Sequence, residues 1–186
     1  MIDRERLLSA YAKARAVLLA ERVPEGHWVG ELSSSALSTA TACSALAIAA
    51  RHAEPETRQR YTALVEAGLQ WILDRQNSDG GWGDTDKSLS NISTTMLVRA
   101  AIHLANSSEA SRERKRPESL YAESLTRAEQ YIAAQGGIPG LRKRYGKDKT
   151  FAVPILTNCA LAGLVPWSEV SALPFEAACL PQSWYR

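Results

Sequence analysis

The sequence predicts an all-α protein built from repeated helical hairpins, and three observations predict it. Two segments align without a gap: Leu18 to Trp28 (LLAERVPEGHW) and Ile72 to Trp82 (ILDRQNSDGGW), 54 positions apart. At the same offset each runs into a small, hydroxyl-rich stretch, Ser38-Thr39-Ala40-Thr41 and Ile92-Ser93-Thr94-Thr95. Apolar residues before each turn recur near the 3.6 period of a helix, and no window between turn signals alternates as a strand would.

Each repeat reads as a helix, a tight turn and a second helix. The first helices carry Leu7, Leu8, Tyr11, Ala14, Val17 and Leu18; then Leu64, Val65, Gly68, Leu69 and Ile72; then Leu125, Ala128, Tyr131 and Ile132 in a third copy that reaches Gln135-Gly136-Gly137 without a tryptophan. Pro55 and Pro117 sit where a missing N–H costs nothing at a helix start. Gly26, Gly80 and Gly136 are expected to close the first helices in the left-handed conformation. The second helices are expected over Ser33–Ala50, Ser90–Ala105 and about Val153–Leu164. The first of these is nearly all Ser, Ala and Thr, so neighbours can approach it closely on more than one side. Residues 1–164 thus form three hairpins, and residues 165–186 form an irregular tail interrupted by Pro166, Pro174 and Pro181. That tail carries Trp167, Val170, Leu173, Phe175, Leu180, Trp184 and Tyr185, apolar surface that needs a cover.

Composition narrows the functional classes. A chain of 186 residues, 45% hydrophobic and 23% charged, can bury a core without disulfides or metal. Its 22 basic and 20 acidic side chains nearly cancel, which argues against a nucleic-acid partner. Cys43, Cys159 and Cys179 form no CxxC pair and suit a reducing cytoplasm, where buried cysteine packs as a small hydrophobe. No leader is read after Met1, and no apolar run is long enough to span a bilayer. Two basic clusters, Arg112–Arg116 and Arg142–Lys147, read as solvated loops between helices; the sharper reading is peripheral contact with anionic lipid.

The turns carry the one motif. Glutamine near a helix end can satisfy open backbone groups, glycine supplies positive φ, and tryptophan covers the adjoining helices with a large surface and one N–H to place. The residues concerned are Gly26 and Trp28 in the first repeat, Trp71, Gln76, Gly80 and Trp82 in the second, and Gln135 in the third; Arg22 stands where the first glutamine would be. Their expected role is to staple hairpins together. This pattern resembles the QW motif of the triterpene cyclases, the squalene–hopene and oxidosqualene cyclases. Gly26 to Leu32, Gln76 to Gly83, and the blocks Val165-Pro166-Trp167, Val170 to Glu176, Leu180-Pro181 and Trp184 are similar to the N-terminal half of a squalene–hopene cyclase, in the same order.

The resemblance implies an α/α toroid segment, part of an α6–α6 barrel with about six main helices in three hairpins. It also implies a proton-initiated cyclisation of squalene or a similar linear isoprenoid in triterpenoid or hopanoid synthesis, with no metal or organic cofactor. The family's proton donor lies in a D-x-D-D motif of the C-terminal domain, and this sequence lacks it. Asp84-Thr85-Asp86-Lys87 is the nearest string and reads as loop and helix-start carboxylates. His27, His52 and His103 are scattered without metal-ligand spacing, and no catalytic, cofactor or metal residue is assigned. The implied partners are the isoprenoid, only with the rest of a cyclase, and a C-terminal cyclase domain or a second copy of the chain. The other readings are a non-enzymatic helical scaffold or lipid-binding module, and a relative of the prenyltransferase barrels.

Overall fold

The structure is a computed structural model that describes residues 3–29, 33–107, 118–147, 150–172 and 179–185. Their regular structure is helical: no strand occurs among them beyond two isolated bridges, Arg22 with Trp28 and Trp82 with Asn91. The chain divides into two compact units, Met1–Ser33 and Ser34–Arg186. Among the described residues no helix is long and apolar enough to cross a membrane.

The first unit is one helix and one turn. Helix α1 (Arg4–Ala20) starts at Asp3, whose carboxylate accepts from the Glu5 N–H at 2.9 Å. Its apolar positions Leu7, Leu8, Tyr11, Val17 and Leu18 are all exposed.

The second unit holds the core. Helices α2 (Ala36–Ala50), α3 (Pro55–Leu73) and α4 (Ile92–Asn106) pack together, with α2 against both α3 and α4. Small side chains make this possible. Ala36, Ala40, Cys43, Ser44 and Ala47 are buried along α2. Across from them Gly68 lets α3 come close, since a Cβ there would stand 2.6 Å from the Cys43 sulfur. Pro55 occupies the first turn of α3, as its missing N–H allows. Helix α4 is the central element, with Met96, Val98, Ala101, Ile102 and Leu104 almost completely buried. Each such large side chain contributes about 1.5–3 kcal/mol relative to exposure. Around α4 pack α5 (Glu118–Ala134), α6 (Gly137–Tyr145) and α7 (Ala152–Leu161), followed by 3-10 turns at Trp167–Glu169 and Gln182–Tyr185.

Several expectations need correction. Helices α2 and α4 begin two or three residues later than their hydroxyl-rich sequences suggest, because Ser35 and Asn91 are caps: their side-chain oxygens accept from Ser38 N at 3.1 Å and Thr94 N at 3.0 Å. Gly26, Gly80 and Gly136 do take positive φ, at 88°, 87° and 86°. Yet α1 and α3 close earlier, on Glu21 and Asp74 in right-handed geometry, and Gly26 and Gly80 shape the turns beyond; only Gly136 sits at a helix boundary. The run Arg142-Lys143-Arg144-Tyr145 is not loop but the last turn of α6, where cations suit the helix dipole. Cys43 and Cys159 are buried, and burial pushes each thiol up to about 11, whereas Cys179 is exposed. In the tail Val165 is buried and Val170 packs on the core, while Trp167, Leu180 and Trp184 stay exposed. Pro117, Arg112–Arg116, Leu173, Pro174 and Phe175 lie outside the described residues, as does the side chain of Tyr185.

Candidate functional site

Two turns, one in each unit, share a hydrogen-bond plan atom for atom. Val23 N donates to His27 O at 2.9 Å, and Asn77 N donates to Gly81 O at 3.0 Å. Gly26 N reaches Val23 O at 2.9 Å, and Gly80 N reaches Asn77 O at 3.0 Å. The Trp28 indole N–H donates to Leu18 O at 2.6 Å; that of Trp82 donates to Ile72 O at 2.8 Å. Each tryptophan therefore folds back onto its own preceding helix and donates to a carbonyl near that helix's end; Ile72 O also accepts from Arg75 N at 3.0 Å. Arg22 also does what Gln76 does. Its Nε donates to Gly26 O at 2.9 Å, as the Gln76 amide donates to Gly80 O at 2.8 Å.

The second turn is embedded where the first is not. Trp82 is fully buried, whereas Trp28 keeps 45% of its surface exposed and stacks under the Arg22 guanidinium. The Gln76 amide reaches on to Ser124 O of α5 at 2.9 Å, and Arg127 of α5 returns bonds to Asn77 O at 2.8 Å and Ser78 O at 3.1 Å. Gly80 lies so close to α5 that a Cβ would stand 2.6 Å from Arg127 O. Trp82 N donates to the Thr95 hydroxyl at 3.1 Å, tying the turn to α4. Trp71 stands apart, half-buried on α3 under the Arg75 guanidinium. Gln135 is exposed at the end of α5, where α6 starts at once and no tryptophan turn forms.

The acidic pair lies on the loop beyond Trp82. Asp84 and Asp86 are both exposed. Asp84 Oδ1 accepts from Thr94 Oγ1 at 2.6 Å and from Asn91 Nδ2 at 2.8 Å, and its carbonyl accepts from Ser35 Oγ at 2.9 Å. It therefore ties the starts of α2 and α4 together, a role the sequence does not announce. Arg127, Thr95 and Asn91 are likewise parts of this network that the sequence does not announce; Asn91 and Thr95 at least lie at the start of α4, whereas nothing local marks Arg127.

Elsewhere the polar groups are dispersed. Among the described residues no three His, Cys, Asp or Glu side chains converge as a metal site would require. His27 lies in the first turn and His52 is exposed. His103 Nε2 and Arg99 Nε, one turn apart on α4, are buried without a hydrogen-bond partner. Burial, with help from Arg99, holds the His103 pKa below its usual value, and Glu129 partly offsets this. A groove of about 460 Å³ between the start of α4, the end of α5 and α6 is lined by Ser90, Asn91, Tyr131, Gln135, Lys143 and Arg144, among others. Burial and then the Asp79 carboxylate raise the Tyr131 pKa, with Arg144 opposing.

The model of the squalene–hopene cyclase N-terminal domain matches residues 11–185. The chain belongs to that family. It is 30% identical over 157 residues to the squalene hopane cyclase afumA of Aspergillus fumigatus, covering 83% of this chain and 17% of that protein. It is 26% identical to the enfumafungin synthase efuA of Hormonema carpetanum, covering 85% of this chain and 10% of that one. The terpene cyclase–glycosyl transferase fusion protein fsoA of Humicola fuscoatra is 29% identical, again over 85% of this chain and 10% of its own length. The chain therefore spans less than a fifth of the length of the curated relatives it matches. No solved structure matches it.

Proposed function

We propose that the chain is the N-terminal, non-catalytic frame of a squalene–hopene-type terpene cyclase, which cyclises squalene or a similar linear isoprenoid only together with a segment carrying a D-x-D-D acid. The family match across residues 11–185 carries this reading. The relatives named as cyclases support it, because each is several times longer than the stretch it shares with this chain. In this reading the helices form part of an α/α barrel. Gly26, Trp28, Trp71, Gln76, Gly80, Trp82 and Gln135 then hold hairpins together and do not touch substrate.

The chemistry favours the same division of labour. Starting a polyene cyclisation means giving a proton to a carbon–carbon double bond. The donor has to be a neutral carboxylic acid, and the cation that follows has to be kept from water. Asp84 is built the other way: it is exposed, and its side chain accepts hydrogen bonds from Thr94 and Asn91. That is the arrangement of a structural acceptor.

Reconstitution tests the proposal. Squalene is incubated with the purified chain mixed with a C-terminal cyclase segment containing D-x-D-D, and products are read by gas chromatography. Cyclic product in the mixture, absent when the added segment carries Asn at the middle Asp of its D-x-D-D, is the expected result. If the added segment alone makes as much product as the mixture, the chain is no part of the enzyme.

A further inference from the structure

The groove beside α6 gathers side chains from three elements, and helix periodicity places them. Tyr131 and Gln135 stand one turn apart on α5; Gly140, Lys143 and Arg144 share one face of α6. Ser90, Asn91 and Ile92 close the third side at the start of α4. Gly140 adds no side chain to the wall, because a Cβ there would run into the Gln135 carbonyl.

The polar groups of the groove divide into committed and free ones. Ser90 Oγ donates to Asp79 Oδ1 at 2.7 Å and accepts from Asn77 Nδ2 at 2.9 Å. The Asn91 side chain donates to Asp84 Oδ1 at 2.8 Å and accepts from Thr94 N at 3.0 Å. By contrast, the Tyr131 hydroxyl, the Lys143 ammonium and the Arg144 guanidinium have no hydrogen bond or ion pair among the described residues. The nearby acids leave them so. Glu169 is taken by Arg142 at 2.8 Å, and Asp79 already accepts from Ser90 Oγ and from Gly81 N at 3.0 Å. Burial and then Asp79 raise the Tyr131 pKa, with Arg144 opposing, so the phenol stays a hydrogen-bond donor at neutral pH.

Two cations and one hydroxyl donor facing one space suit an anion, and a phosphate suits them better than a carboxylate. A carboxylate brings two oxygens and one charge. A phosphate ester brings three acceptor oxygens and nearly two charges, enough for both cations and the hydroxyl at once. The volume of about 460 Å³ lies within the ~300–1,000 Å³ of small-molecule sites, so an organic group fits beside the phosphate.

We propose that this groove binds the phosphate or diphosphate group of a small soluble molecule, with Lys143 and Arg144 meeting its charge and the Tyr131 hydroxyl donating to its oxygens. The site uses side chains that the hairpin turns leave free, and it stands whether or not the chain takes part in cyclisation. The test is titration calorimetry of the 186-residue chain with pyrophosphate, inorganic phosphate and acetate. Saturable one-to-one binding is expected, tightest for pyrophosphate and weakest for acetate. Lys143→Gln with Arg144→Gln is expected to weaken pyrophosphate binding by roughly tenfold or more, and Tyr131→Phe by a few-fold. Arg60→Gln with Lys87→Gln removes the same charge from exposed positions outside the groove and is expected to leave binding within about twofold of the unaltered chain. Circular dichroism checks that each variant stays helical. The proposal is overturned if neither pyrophosphate nor phosphate binds saturably, whether or not anionic vesicles do. It is equally overturned if acetate binds as tightly as phosphate, or if the two charge-neutralised pairs weaken binding alike.

Discussion

Replacing Trp82 by alanine is expected to cost about 3–5 kcal/mol of stability, the range for truncating a buried tryptophan. For a chain of this size that corresponds to a fall of roughly 10 °C in melting temperature. Trp82 is fully buried, and its indole N–H takes up Ile72 O at 2.8 Å. Alanine would leave a cavity and remove one of the bonds to Ile72 O, which also accepts from Arg75 N at 3.0 Å. Trp28→Ala removes the matching bond to Leu18 O, but Trp28 is 45% exposed, so its loss is expected to be about 1–2 kcal/mol. Thermal melts of the two variants check the contrast. Equal shifts would mean that the turns are embedded alike, against the geometry.

The second large effect belongs to the glycines of the same turns. Gly80→Ala is expected to destabilise by about 2–5 kcal/mol through two additive causes. The backbone stands at φ +87°, and the new Cβ would meet main-chain atoms of Arg127, with its carbonyl oxygen at 2.6 Å. Moving α5 away would strain the bonds from Gln76 to Ser124 O and from Arg127 to Asn77 O and Ser78 O. Gly26→Ala shares the positive φ of +88°, but its Cβ would meet only the far end of Arg22 at 3.0 Å. That exposed guanidinium can swing aside, giving up its bond to Gly26 O, so the left-handed strain of about 1–2 kcal/mol is the main cost. Urea unfolding of both variants measures the difference, and a Gly80→Ala midpoint at or above that of Gly26→Ala would contradict the close approach.

How much of this was legible in sequence depended on whether the signal was local. The repeat offset of 54 carried the turn geometry almost completely, because every bond of the shared plan lies within about ten residues of its partner. It even placed Arg22 in the position of Gln76, since a guanidinium Nε can donate to the same carbonyl as an amide. Pro55 and the small residues of α2 also read correctly, because their effects are steric and immediate. Helix α6 did not read. Gly137, Pro139 and Gly140 look like breakers, yet proline is tolerated in a first turn, and Gly140 lies against the Gln135 carbonyl, where a side chain would clash. Leu141 is the residue of α6 buried completely, too little to leave a period, and the basic run hid the rest.

The candidate site was less legible than the fold because its bonds cross between elements. Asp84 is near Thr94 and Asn91 in sequence, but its bond from Ser35 spans 49 residues, and the Arg127 bonds to Asn77 and Ser78 span about as many. No periodicity or spacing encodes such pairings. The resemblance to the cyclases supplied the family, and the match over residues 11–185 established it. The network shows what the acidic loop does in this chain: Asp84 ties two helix starts together, and Asp86 is an exposed neighbour whose N–H donates to Ser34 O at 3.2 Å.

The central claim is that this chain supplies helical frame and no acid. It is tested most directly by incubating squalene with the purified chain alone and analysing the extract by gas chromatography. The account predicts unchanged squalene, with no cyclic hydrocarbon or alcohol, since Asp84 and Asp86 are exposed and Asp84 serves as an acceptor. Cyclic product that disappears in Asp84→Asn or Asp86→Asn would contradict it and place a proton donor on the loop after Trp82.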